Sequence, residues 1–443
     1  MTSPGYLIHI SVLALVVGLA GPAPDAAAQS NRAWGRVSFF TSASRASAAD
    51  DVDAPRLSST EFVTTFTYRS AETRDQALEF GVDSRLAGYS ADDREPRVSL
   101  YEAWAGVRLL DGRLRVRGGH LWLSELGGIG AIAGGEVEYA RPAGNGTLRF
   151  AGFGGLEPKT YEAGYFEDVR RYGGFVAFDG QRAMRSVLGY VLVKNADATE
   201  RSVVTTTNSL PLGSRTFVYQ AAEFDLQGPA GQGSGGLTYL LANARVTAGP
   251  KVDLQASYHR GRSIDARTIT HDQINGRPIA PKALEGYLFE SLSGRVTVEV
   301  IRGVRLFAGY GHDRGNEDSE PADRLTLGGW AGNVAGSGVD LSGTFYRIER
   351  GDGSGYDSWY LSLGRNITSR VYVSGDYTSS LAVVRFMGTD GIVVEDRPET
   401  DRLSGTAVIH VTRLISLLLT AEHTTDPVVS DTRLLAGITY RLP

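Results

Sequence analysis

The stretch from Arg295 to Tyr310 reads Arg-Val-Thr-Val-Glu-Val, then Ile301-Arg302-Gly303, then Val-Arg-Leu-Phe-Ala-Gly-Tyr. Side chains of an extended chain alternate between two faces. Val296, Val298 and Val300 therefore share one face, and Arg295, Thr297 and Glu299 the other. After the turn the pattern restarts, with Val304, Leu306, Ala308 and Tyr310 against Arg305, Phe307 and Gly309. A two-stranded ribbon with one greasy face is marginal by itself and needs further strands beside it.

Working outward, the same unit recurs along almost the whole chain. Asp111-Gly112, Asp179-Gly180 and Gly249-Pro250 mark tight turns between alternating runs. Tight turns alternate with longer polar connections, the longest in the middle of the chain being Ile264–Glu285. The count predicts about 22 antiparallel strands, with about 18–20 as the alternative, and both ends of the ladder on the short-turn side. No helical periodicity longer than a couple of turns and no linker interrupts it, so one domain is expected over residues 29–443.

The 443 residues include 55 Gly and no Cys, carry a net charge of -5, and are 21% charged. The lack of Cys excludes disulfides, thiolate metal sites, a lipoprotein anchor and covalent c-type haem. Past residue 20 no apolar run approaches the ~20 residues of a membrane-spanning helix. Leu7–Leu19 is apolar and is followed by Ala26-Ala27-Ala28-Gln29, which predicts a secretory signal peptide over residues 1–28, cut between Ala28 and Gln29.

The ladder's apolar face must meet either a core or lipid. So many antiparallel strands in one open sheet would leave costly edges, and their opposite faces carry charges that suit water and not a dry core. A closed barrel also satisfies every backbone group in lipid. Tyr68, Tyr89, Trp122, Tyr190, Tyr258, Tyr310, Trp330, Trp359 and Tyr440 lie near strand ends, as in an interfacial aromatic girdle. The predicted fold is all-β: a single antiparallel transmembrane β-barrel with short periplasmic turns and longer extracellular loops.

In this architecture the chain resembles the porin-like outer-membrane β-barrel superfamily, over about residues 30–443. The last strand alternates as that superfamily's does, through Leu434, Ala436, Ile438, Tyr440 and Leu442, but ends in Pro443 where an aromatic residue is usual. The resemblance implies the outer membrane of a Gram-negative bacterium as location. It implies outer-membrane lipid, lipopolysaccharide and the barrel-assembly machinery as partners, with a periplasmic or lumenal protein as a further partner and no nucleic acid.

Charged residues give the functional lead. Arg113, Arg115, Arg117, Arg149, Asp253, His259, Arg295, Thr297, Glu299 and Arg305 fall on polar faces and are predicted to line the lumen. An Arg turned to lipid would cost ~2–4 kcal/mol at the midplane, which sets the facing. Clustered Arg biases a pore toward anions unless carboxylates pair with it, and Glu61, Glu79, Asp83, Asp253, Glu299 and Glu422 are the expected partners. The small-residue patch around Gly128, Gly130 and Ala133 matches a dinucleotide fingerprint by letters only, with no following helix. It is a candidate constriction folded into the lumen. The scattered His residues show no metal-ligand spacing and no catalytic group stands out. The acidic loops Asp50–Asp53, Asp92–Glu95 and Asn316–Asp323 lack a calcium-loop pattern and read as solvated surface. The expected function is a non-enzymatic channel, without cofactor, for passive passage of small hydrophilic solutes or ions. The alternative is a sleeve around a partner protein, such as a multihaem cytochrome or part of a polysaccharide or protein export machine.

Overall fold

A computed structural model describes residues 33–48, 57–70, 77–90, 94–159, 162–228, 236–279, 283–284, 286–316, 320–387 and 393–442. The signal-peptide cleavage site and the acidic loop Asp50–Asp53 lie outside the described residues, as do parts of the other two acidic loops. Among the described residues the strands are β1 (Ala33–Ala48), β2 (Leu57–Ser70), β3 (Leu78–Tyr89), β4 (Arg97–Leu109), β5 (Leu114–Trp122) and β6 (Ala131–Ala143). There follow β7 (Gly146–Pro158), β8 (Tyr165–Asp179), β9 (Arg185–Asn195), β10 (Ala198–Leu212), β11 (Thr216–Gln227) and β12 (Gly236–Gly249). The next are β13 (Val252–Ser263), β14 (Tyr287–Ile301), β15 (Val304–Gly315), β16 (Ala322–Ala331), β17 (Val339–Arg350) and β18 (Gly355–Thr368). The chain ends with β19 (Val371–Met387), β20 (Val393–Asp396), β21 (Glu399–His410), β22 (Ile415–Thr425) and β23 (Val429–Leu442).

Each barrel strand pairs antiparallel with its sequence neighbours, and β1 pairs with β23, so the sheet closes and no edge remains. The barrel has 22 strands. The extra strand, β20, pairs only with the far end of β19 and forms a small hairpin above the barrel wall. Its four residues, Val-Val-Glu-Asp, are too few to signal a strand by alternation.

The opening hairpin behaves as its alternation requires. Val296, Leu306 and Tyr310 are 44%, 52% and 58% exposed on the outer face, while Thr297 is 7% exposed on the inner one. Arg295 stacks its guanidinium 3.7 Å from the Phe307 ring centre, and Arg305 donates to Glu299 at 3.3 Å, all on the inner face. Cross-strand register carries these two faces round the barrel. Tyr68, Tyr190, Tyr258, Tyr310, Trp359 and Tyr440 of the expected girdle point outward. The hydroxyls of Tyr310 and Tyr377 donate to Asp323 and Asp401 at 2.6 and 2.7 Å, where the outer face turns from apolar to charged near the long-loop end.

Of the other three girdle residues, Trp122 borders an interior cavity, and two more are placed on the inner face. Tyr89 pairs with Glu61, and Trp330 with Arg305, which puts both rings on the inner face. Trp330 lies 5.2 Å under the Arg305 guanidinium. An aromatic residue near a strand end does not by itself declare its face; the parity of its charged cross-strand partner does.

Connections also depart from a strict short–long alternation. On the long-loop side, Ala196-Asp197 joins β9 to β10, and residues 351–354 and 426–428 make the other short joins. On the opposite side, residues 332–338 form a seven-residue link between β16 and β17.

Candidate functional site

On β5, β6 and β7 the inner face is a lattice of guanidinium and carboxylate groups. Direct cross-strand pairing places Arg115 against Glu138 and Arg117 against Glu136, and the salt bridges follow at 3.1 and 2.6 Å. Arg149 sits at the hub: Nη1 donates to Glu125 at 3.0 Å and to Glu138 at 2.6 Å, and Nε donates to Asp179 at 2.6 Å. Arg108 pairs with Glu79, and Arg69 with Glu102 at 2.7 Å. These groups surround a cavity of about 860 Å³ at the short-turn end, bordered by eight arginines and five carboxylates, with Trp122 at its margin.

The pairing corrects one expectation. The carboxylates that neutralise Arg115, Arg117 and Arg149 are Glu136, Glu138, Glu125 and Asp179, and not the set read from sequence. Glu299 pairs with Arg305 as expected, while Glu61, Glu79, Asp253 and Glu422 pair with other arginines: Arg85, Arg108, Arg245 and Arg402. Arg113 lies in the β4–β5 turn, exposed at the cavity's edge.

The connection from β5 to β6 folds into the barrel. Its 3-10 segment, Ser124–Ile129, rests against the inner face of β8, β9 and β10. Leu123, Leu126 and Ile129 join Phe153, Phe175, Val187, Val191 and Val203 in a dry cluster, which fills that side of the interior with apolar contacts. Two glycines make the close approach feasible. A Cβ at Gly130 would overlap the Leu123 carbonyl oxygen, and one at Gly189 on the wall would strike the Leu126 side chain. Glu125 pins the segment electrostatically through Arg149 and through Arg185 at 2.7 Å. Burial works to raise the Glu125 carboxyl, but Arg149, a backbone hydrogen bond and Arg185 outweigh it and hold it below its usual range.

Of the small-residue patch, Gly128 lies within this inward segment and Gly130 caps it. Ala133 is already in β6, paired with His120, on the face opposite to Glu136. The segment thus starts earlier than the patch, at Ser124. The sequence signal for it is the apolar spacing of Leu121, Leu123, Leu126 and Ile129 running past the strand end.

A second segment approaches from the long-loop side. The connection from β13 to β14 contains a helix, α1 (Ala266–Ile274), where the sequence suggests only irregular chain. The Asp265 side chain accepts from the Thr268 amide at 3.0 Å, an N-cap, and Asn275 ends the helix. Ala266, Ile269 and Thr270 are buried. Arg267 reaches Glu157 on β7 at 2.7 Å and stacks 4.2 Å from the ring centre of Phe166 on β8. The loop therefore spans from β13 to the β7–β10 side. The Asp-x-x-Thr start and the Asn stop were legible signals; nine residues with two isoleucines gave too weak a periodicity to register.

The Asp265 carboxyl is held below its usual range, chiefly by the Thr268 backbone hydrogen bond. A depressed carboxylate stabilises above its ordinary unfolded pKa, and the contribution fades as pH falls through the lower, folded one. Asp265→Ala is expected to cost about 1 kcal/mol of local helix stability. It should also remove that acid dependence. Hydrogen exchange of the α1 amides at neutral and acidic pH measures both effects; equal exchange in the variant and the parent would contradict the cap's role.

His259 sits on the inner face between the rings of Tyr239 and Phe289, at 5.6 and 5.7 Å. Asp253, Arg295, Thr297, Glu299 and Arg305 share that inner face along β13–β15.

No family model and no curated protein matches the chain. Among solved structures, it is similar to a mutant of the ferric enterobactin receptor PfeA from Pseudomonas aeruginosa, with 9% identity and a TM-score of 0.55, covering 93% of this chain and 81% of that one. It also aligns with OpdL of P. aeruginosa (11% identity, TM-score 0.44, 93% and 99% coverage) and with OpdQ of the same organism (11%, 0.43, 94% and 100%). At these identities the likeness is one of fold: the chain is a closed antiparallel β-barrel that resembles outer-membrane barrels.

Proposed function

We propose that the protein is a channel of a Gram-negative outer membrane that passes small hydrophilic solutes without chemistry. The carrying observation is the partition of the closed wall: Val296, Leu306 and their neighbours on the outside, and Arg295, Thr297, Glu299 and Arg305 on the inside. A water-facing interior is the reason to keep charges there, since an apolar core would make each of them costly. Within this reading, Ser124–Ile129 and the α1 loop narrow the passage, and the paired lattice around Arg149 shapes the short-turn end. Extensive pairing weakens the anion bias that unpaired Arg would impose, so the channel should discriminate weakly between small anions and cations.

The sleeve reading gains less support, because the inward segment and its apolar cluster occupy space that a partner would need. Purified protein in planar bilayers tests the proposal. Stepwise conductance with near-unity ion selectivity is expected; membranes that stay sealed under all conditions would refute it.

A further inference from the structure

We propose that a pocket on the inner face beneath α1 binds a neutral sugar. It has a volume of about 430 Å³, is open on one side, and is lined by residues of β10–β14 and the start of the α1 loop. That size falls in the range of small-molecule sites. One wall is a row of rings on three adjacent strands: Tyr239 on β12, His259 on β13 and Phe289 on β14. The adjoining wall, on β10–β12, is polar and tightly paired. Arg201 binds Asp225 at 2.6 Å and Glu223 at 3.3 Å, and the Thr238 hydroxyl donates to Asp225 at 3.1 Å. Asp225 and Thr238 are 4% and 7% exposed, so this network is fixed before any ligand arrives.

Backbone irregularities converge on this corner. Register shifts leave one extra residue each on three adjacent strands: Glu200 on β10, Leu226 on β11 and Thr238 on β12. Bulges re-aim side chains and are common beside functional sites. Arg201, Glu223 and Asp225 share the inner face by ordinary alternation, and the extra residue on β12, Thr238, turns to Asp225.

The chemistry selects the ligand class. Two arginines, Arg201 and Arg262, line the pocket with two carboxylates, Glu223 and Asp225, so it presents no net charge to attract an ion. This differs from the arginine-rich cavity at the other end of the barrel. Ring faces pack against the C–H face of a cyclic sugar, and planar guanidinium and carboxylate groups exchange hydrogen bonds with its hydroxyls. An acyclic polyol offers the same hydroxyls without that flat face. As a substrate class for the passage, the inference rests on the channel reading; as a binding site, it stands by itself.

The test titrates folded, detergent-solubilised protein with maltose, sorbitol and gluconate by calorimetry, and records bilayer current with and without maltose. Saturable maltose binding, absent for sorbitol and gluconate, is expected. His259→Leu and Phe289→Leu, which keep bulk and lose the ring, should each weaken it by about tenfold. Heat-shifted gel migration establishes that each variant is folded. No saturable maltose binding, equal binding of sorbitol, or unchanged affinity in both folded variants would overturn the site. A conducting protein that ignores maltose loses the site and keeps the channel. A sealed membrane with maltose binding intact keeps the site and loses the channel.

Discussion

Val296→Arg is expected to cripple folding into lipid bilayers, while Thr326→Arg folds like the parent protein and moves ion selectivity toward anions. Val296 lies mid-strand on the outer face, paired with Leu254 and Ala308, and has only apolar neighbours there. A guanidinium at that depth costs ~2–4 kcal/mol. A domain's whole margin is about 5–15 kcal/mol, so one such substitution removes a large part of it. Thr326 pairs with Gly309 and Tyr346 on the inner face, so an Arg there extends into the interior beside Arg324. Folded fraction in vesicles across a urea series, together with reversal potentials, measures both results. Equal folding of the two variants would show that the outer face does not meet hydrocarbon.

Arg149→Ala should lower stability by ~3–5 kcal/mol, the scale for removing one partner of a buried ion cluster. Its loss leaves Glu125, Glu138 and Asp179 sharing only Arg115 and Arg185. It also cuts one of the two ties that hold Glu125, so Ser124–Ile129 should loosen and single-channel current should rise and become noisier. Arg149→Lys should recover part of the effect, since an ammonium keeps the charge but cannot bridge three carboxylates with planar geometry. Unchanged unfolding and unchanged current in Arg149→Ala would mean that the apolar contacts of Leu126 and Ile129 alone fix the segment.

The wall was legible in the sequence because its rule is local. A period of two, read from Arg295 to Tyr310, separates the same two faces that the pairing and exposure of β14 and β15 separate. Turn residues such as Asp111-Gly112 mark where strands reverse. Partners in the ion lattice were harder, since they depend on register. Arg117 meets Glu136 only because β5 and β6 pair in one particular alignment across an inward-folding connection. Arg149 meets Glu125 only once that connection has folded back against the wall. The pocket beneath α1 is hidden for the same reason: alternation turns His259 inward, but Tyr239 and Phe289 join it only through strand neighbours, and Arg201 only through the register of β10 on β11. Facing follows from parity within one strand; a site follows from register among several.

The most direct measurement of that facing uses the absence of native Cys. Thr297 points inward but is only 7% exposed, so the more accessible Thr326 and Leu327 on β16 make the better pair. Thr326→Cys and Leu327→Cys in protein reconstituted into liposomes are treated with a charged, water-soluble maleimide and with a lipid-soluble one. Position 326 should react with the charged reagent, and position 327 only with the lipid-soluble reagent. The reverse pattern would contradict the assignment of inside and outside, and the channel reading with it.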